Sequence, residues 1–134
     1  MAIRRTKVTV TATGSDGSAQ GSSKTFKPVS GYIERIYFKR VDTPQDTTLV
    51  RVEEATEDPA LTVLEVDGLT GDQWYHPRTV VHNSETGEEL EGPVDLIHVG
   101  DNLRLVVETA DDGSVIEATI IYDDSPKAVT PLPV

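Results

Sequence analysis

The sequence predicts an all-β domain, a β-sandwich or jelly roll of roughly eight mainly antiparallel strands with extended terminal arms. Three observations carry this expectation. Apolar and β-branched residues alternate with period two in several short runs, glycine and proline clusters punctuate those runs, and no longer stretch holds a helical period.

Lys7–Ala12 opens the series, with Val8, Val10 and Ala12 on one face of a half-buried strand. Thr13–Ser23 follows, holding Gly14, Gly17 and Gly21 among small polar residues, and reads as a mobile loop with nothing large to bury. No lysine follows it at P-loop spacing, and no helix follows at all. Gly31–Arg40 is the most aromatic run: strict alternation sets Tyr32, Glu34, Ile36 and Phe38 on one side and Tyr37 on the other. Thr47–Glu53 groups Thr48, Val50 and Val52, and Leu61–Val66 supplies a further apolar strand. Turns are expected at Asp42–Asp46, Thr56–Pro59 and between Asp67-Gly68 and Gly71-Asp72.

Gln73–His76 then runs into Pro77, which marks an edge strand or a bulge, and Arg78–His82 resumes an extended pattern. Leu103–Glu108 and Val115–Tyr122, joined through Asp112-Gly113, read as a hairpin. The last residues hold Pro126, Pro131 and Pro133 and form an extended arm, one that frays unless a neighbouring subunit ties it down. The organisation expected is a basic amino-terminal arm over 1–6, one sandwich domain over 7–124 and a Pro-rich carboxy-terminal arm over 125–134.

Composition narrows the function. With 134 residues, 37% apolar and 26% charged, the chain suits one water-soluble core, and no apolar run is long enough for a membrane-spanning helix. Met1–Lys7 lacks the apolar stretch of a signal peptide, so export by that route is not expected. The absence of cysteine excludes disulfides, thiolate-held metals and a thiol nucleophile. Net charge is -11 but unevenly spread: residues 1–40 carry eight Lys/Arg against Asp16 and Glu34, and everything after is strongly acidic. Such a surface repels phosphate, so nucleic acid is not the expected partner; the acidic part serves solubility or faces a basic partner.

Catalytic constellations are not legible. His76 and His82 share a strand parity and His98 lies apart, which falls short of the three or four convergent ligands zinc requires. Calcium at Asp111-Asp112-Gly113, or near Asp67 and Asp72, competes with the simpler reading that these are turn residues serving backbone. No serine sits in a nucleophile elbow. The expectation is a chain without enzyme activity or cofactor that works through a protein surface. Trp74-Tyr75-His76-Pro77-Arg78 is the concentrated recognition segment, because Trp, Tyr and Arg dominate interface hot spots, with core packing of the single tryptophan as the competing reading.

Several of these segments together resemble the head decoration, or cement, proteins of tailed bacteriophages. The likeness lies in Gly31-Tyr32-Ile33-Glu34-Arg35-Ile36-Tyr37-Phe38, in Trp74-Tyr75-His76-Pro77-Arg78, in the polar Gly turn Ser84–Leu90, in the run from Pro93-Val94 to Val99-Gly100-Asp101, and in the terminal Leu103–Tyr122 pair. What the resemblance implies is a jelly-roll protein, made in the host cytoplasm and carried on the outer capsid surface. It would be a homotrimer that binds the major capsid protein and stabilises junctions between its subunits. On that reading Arg4, Arg5 and Lys7 face an acidic capsid surface, with Trp74, Tyr75 and Arg78 as further partner-binding residues. A carbohydrate-binding module or tail-associated adhesin is the alternative, weakened because Trp74 and Tyr75 fall on opposite faces of a strand.

Overall fold

The structure, a computed structural model, describes residues 2–41, 48–55, 61–69, 71–82 and 89–125. Among them the chain forms β1 (Ile3–Thr11), β2 (Ala19–Lys24), β3 (Val29–Arg40), β4 (Leu49–Glu54), β5 (Thr62–Asp67), β6 (Gln73–Tyr75), β7 (Arg78–His82), β8 (Glu89–Asp101), β9 (Leu103–Ala110) and β10 (Val115–Asp123). The turns expected at 42–46 and 56–59, residues 84–88 of the turn expected over 84–90, and the arm from 126 onward lie outside the described residues, while Glu89 and Leu90 begin β8.

The strands build two sheets, one in the order β1-β10-β3-β8-β7 with β6 also on β3, the other in the order β2-β9-β4-β5. The pairings are nested. β1 pairs with β10, β2 with β9, β3 with β8 and β4 with β5, all antiparallel. This is one long ribbon folded double, whose strands then fall alternately into two layers, the jelly-roll arrangement. β6 and β7 are an insertion between the fifth strand of that ribbon and its return.

The facing layers bury one core. Val8, Val10, Ile33, Ile36, Phe38, Ile116, Ala118 and Ile120 come from the larger sheet, and Val50, Val52, Leu103, Leu105 and Val107 from the smaller. At about 25 cal/mol per Å² of apolar surface, each of these side chains larger than alanine contributes roughly 1.5–3 kcal/mol. A full core truncation such as Phe38→Ala would cost about 3–5 kcal/mol.

Four sequence expectations are corrected. Residues 19–23, expected as the end of a loop, belong to strand β2, paired with β9. Their small side chains are what the site requires, because a Cβ at Gly21 would come within 2.7 Å of the Thr11 carbonyl where the sheets close on each other. Second, β9 and β10 are consecutive but not a hairpin, for they lie in different sheets. Thr109 (φ 52) and Gly113 (φ 83) swing the chain from one layer to the other, and a local Asp-Gly signal does not distinguish that crossing from a hairpin turn. Third, strict alternation fails in β3. The register with β10 shifts so that Ile121 faces Arg35 and Tyr122 faces Ile33, leaving Glu34 as an extra residue; Ile33 and Ile36 both point inward and Glu34 does not join the core. Fourth, β1 begins at Ile3, so Arg4 and Arg5, expected ahead of the sheet, lie in it opposite Tyr122 and Ile121.

At the start of β3 the fit is tightest. Gly31 has φ 144, and a Cβ there would lie 1.9 Å from the Asp123 carbonyl oxygen, so only glycine lets β3 pass the end of β10.

Candidate protein-binding face

The outer surface of the larger sheet gathers what the sequence left scattered. β1, β10, β3 and β6 lie side by side, with Lys7 opposite Thr119, Thr119 opposite Tyr37, and Tyr37 opposite Trp74. Period two then sends Arg5 and Lys7 of β1, Glu117 and Thr119 of β10, Tyr37 and Lys39 of β3 and Trp74 of β6 to the same face. These seven residues line one shallow depression. A second, lined by Ile3, Glu34, Arg35, His76, Arg78 and Ile121, adjoins it. Arg35 joins the two, its guanidinium carbon lying 4.6 Å from the centre of the Trp74 ring.

The electrostatic character of this face runs against the chain as a whole. Arg5, Lys7, Arg35, Lys39 and Arg78 stand against Glu34 and Glu117, in a protein of net charge -11. Lys7 Nζ lies 3.8 Å from Glu117 Oε1, a loose exposed pair worth well under about 1 kcal/mol. Among the described residues Arg5 and Lys39 have no ion-pair partner.

Trp74 is 40% exposed and tilts against Tyr37 with ring centres 4.9 Å apart. Its strand neighbour Tyr75 turns the other way and packs on Phe38 in the core, ring centres 5.6 Å apart. Core packing of the single tryptophan, the competing reading for this segment, is thereby corrected: Trp74 lies at the surface, and it is Tyr75 that packs on the core. A flat sugar-stacking row is not formed, because Trp74 is tilted 45° to Tyr37 and already packed by Arg35. Pro77 is buried between β6 and β7, where the chain leaves β3 for β8.

Arg78 is held by the bulge. Its Nη1 donates to the Glu34 carbonyl at 3.0 Å and to the Pro77 carbonyl at 2.7 Å, so the extra residue in β3 supplies an acceptor outside the ladder. Arg4 is drawn to the strand's end, where its Nε donates to Asp124 Oδ2 at 2.8 Å. That bond holds the Asp124 carboxyl below its ordinary range and raises the Arg4 guanidinium. Of the six residues expected to bind a partner, Arg5, Lys7 and Trp74 meet in one depression, Arg78 lines the next, Arg4 serves the β1–β10 end and Tyr75 serves the core. Sequence reading missed Arg35, Tyr37 and Lys39. The signal available was Tyr37, an aromatic on the parity opposite Ile36 and Phe38.

The outer face of the smaller sheet is different. Glu53, only 5% exposed, accepts from Arg104 Nε at 2.8 Å and from Arg51 Nε at 3.1 Å, and Arg51 also reaches Glu108 at 3.5 Å. Burial pushes the Glu53 carboxyl up, but the hydrogen bonds from Arg104 and Arg51 outweigh it and hold the group below its ordinary value.

Of the aspartates weighed as calcium ligands, Asp111, Asp112 and Asp72 are engaged with backbone, Asp72 accepting from the Arg40 amide at 2.8 Å. Asp111 accepts from the Gly17 amide at 3.0 Å, Asp112 from the Gly14 amide at 3.2 Å, and Asp16 from the Asp112 amide at 3.1 Å. They lock the β1–β2 and β9–β10 connections together. His76 is exposed at the second depression, while His98 stands edge-on to Tyr32 with ring centres 4.8 Å apart. Among the described residues no three His, Asp or Glu side chains converge as metal ligands would.

No known protein family matches the chain, and no curated protein matches it. A solved structure described as the crystal structure of FLHE is 16% identical over 90% of this chain and 96% of its own, with a TM-score of 0.44, a likeness too loose to bear on function.

Proposed function

We propose that this chain is a non-catalytic bacteriophage head decoration protein that binds the outer capsid surface and stabilises junctions between major capsid protein subunits. One observation carries the reading as a binding protein: the outer face of the larger sheet concentrates Arg5, Lys7, Arg35 and Lys39 around the half-exposed Trp74 in an otherwise acidic molecule. Cations held in at most one loose ion pair on a rigid sheet complement an acidic protein surface, and an exposed tryptophan among them is the usual anchor of such contacts. The sequence resemblance to cement proteins supplies the capsid, the trimer and the virion as the setting. Acidic protein is favoured over nucleic acid because the rest of the molecule would repel phosphate.

The test is co-sedimentation with capsids that lack the protein, alongside its solution mass by light scattering. A trimer that saturates the capsids is the expected result. A monomer that stays in the supernatant at every concentration overturns the reading and leaves glycan binding as the next assay.

A further inference from the structure

At one end of the sandwich the β2–β3 connection presents Phe26, a residue that is 95% exposed. A single exposed apolar residue is ordinary on a protein surface. This one stands on a loop that is unusually well fixed. The preceding Thr25 is 3% exposed, its amide donates to the Leu103 carbonyl at 2.8 Å, and its hydroxyl donates to the Lys27 carbonyl at 2.9 Å. The Leu103 amide donates back to the Thr25 hydroxyl at 3.2 Å, and Asn102 Nδ2 donates to the Thr25 carbonyl at 2.7 Å. Pro28 follows at once and stiffens the exit into β3.

The loop's own backbone is thus held while its one large side chain packs on nothing. A residue that folding does not use, set on a rigid base, is pre-organised to bind, because little freedom remains to be lost on contact. Lys24 and Lys27 flank it, both exposed and neither in an ion pair among the described residues. Leu61, 47% exposed, precedes β5 at the same end of the smaller sheet, three strand spacings or about 14 Å away.

We infer that the β2–β3 loop is a second attachment point, inserting Phe26 into an apolar socket rimmed by carboxylates on the partner protein. The inference rests on the capsid reading and adds to it a contact remote in sequence from Arg5, Lys7 and Trp74. The flanking cations select a carboxylate-rich rim, and the ring selects the socket.

The experiment uses the full chain and capsids lacking it, comparing the parent with Phe26→Ala, Phe26→Leu and the double variant Lys24→Glu/Lys27→Glu. Phe26→Ala should weaken capsid binding at least tenfold with an unchanged melting temperature and solution mass, since the ring makes no fold contact. Phe26→Leu should recover most of that loss, and the double reversal should weaken binding several-fold. Parent-like binding by Phe26→Ala overturns the inference and leaves the capsid reading standing. A change in solution mass with Phe26→Ala also overturns it, because the socket then belongs to a second copy of this chain. If the parent itself ignores capsids, the capsid reading fails and this inference with it.

Discussion

The two outer faces of the sandwich handle charge in opposite ways. On the smaller sheet, Arg51 and Arg104 close on the nearly buried Glu53, and Glu108 takes a further contact from Arg51. On the larger sheet, Arg5 and Lys39 stand without ion-pair partners among the described residues, around a tryptophan that is 40% exposed. On the first face Arg51, Arg104 and Glu53 satisfy one another, and that cluster contributes to the fold. The second holds its charges apart, which adds little to folding and leaves them for a partner. Net charge conceals this division, since -11 describes the whole chain and not the patch.

Substitutions should separate the faces cleanly. The largest stability effect is expected from Glu53→Gln, which leaves Arg104 without its carboxylate and Arg51 with only Glu108, the two guanidiniums being 31% and 24% exposed. Because those cations keep some water, the loss should fall near the lower end for a broken buried pair, about 2–3 kcal/mol by chemical denaturation, with capsid binding by the folded protein unchanged. Trp74→Ala should do the reverse, weakening capsid binding by about 2 kcal/mol, roughly thirtyfold, as a central aromatic anchor does. Its cost to folding should stay near 1 kcal/mol in the same denaturant titration, because the ring is already half in water.

Arg5→Glu with Lys39→Glu comes next. Binding should fall by about 1 kcal/mol per reversed charge at low salt and recover toward the parent's high-salt value as ionic strength rises, while stability stays within about 0.5 kcal/mol. The smallest effect concerns acid. The Glu53 carboxyl titrates below its ordinary value, so its stabilisation is present above the usual glutamate range and is lost as pH falls through the folded-state value. Denaturation midpoints measured from neutral pH downward should decline less steeply in Glu53→Gln than in the parent. Equal slopes would mean that the ion-pair face contributes nothing to acid sensitivity.

Much of the fold was legible because period-two alternation is a local property. β1, β4, β5, β9 and β10 follow from runs such as Val8-Thr9-Val10 and Leu103-Arg104-Leu105. β2 was hidden because Ala19-Gln20-Gly21-Ser22-Ser23-Lys24 has neither β-branched residues nor large apolar ones; its pairing with β9 and the space beside Thr11 decide its conformation. The bulge at Glu34 was hidden for a similar reason, since it is set by register against β10 and not by the residues of β3 alone. The proposed binding face was half legible. Arg5, Lys7 and Trp74 were recognisable by residue type, but their meeting depends on β10 and β3 lying between β1 and β6, which no local pattern contains.

The nested ribbon has a consequence in time. Among the described strands β1 pairs with β10 and β2 with β9, apart from the single Thr13–Gln20 bridge, so the early strands must wait for the late ones. At a synthesis rate of about ten residues per second, β1 spends roughly ten seconds outside the ribosome before β10 exists. During that interval the exposed edge of Val8 and Val10 has no strand to close on, and the early segment must stay soluble by other means. Arg4, Arg5 and Lys7, three cations in the first strand, repel a second nascent copy at that edge. Arg5 and Lys7, which line the proposed binding face of the folded protein, thus also guard the chain while it is still being made.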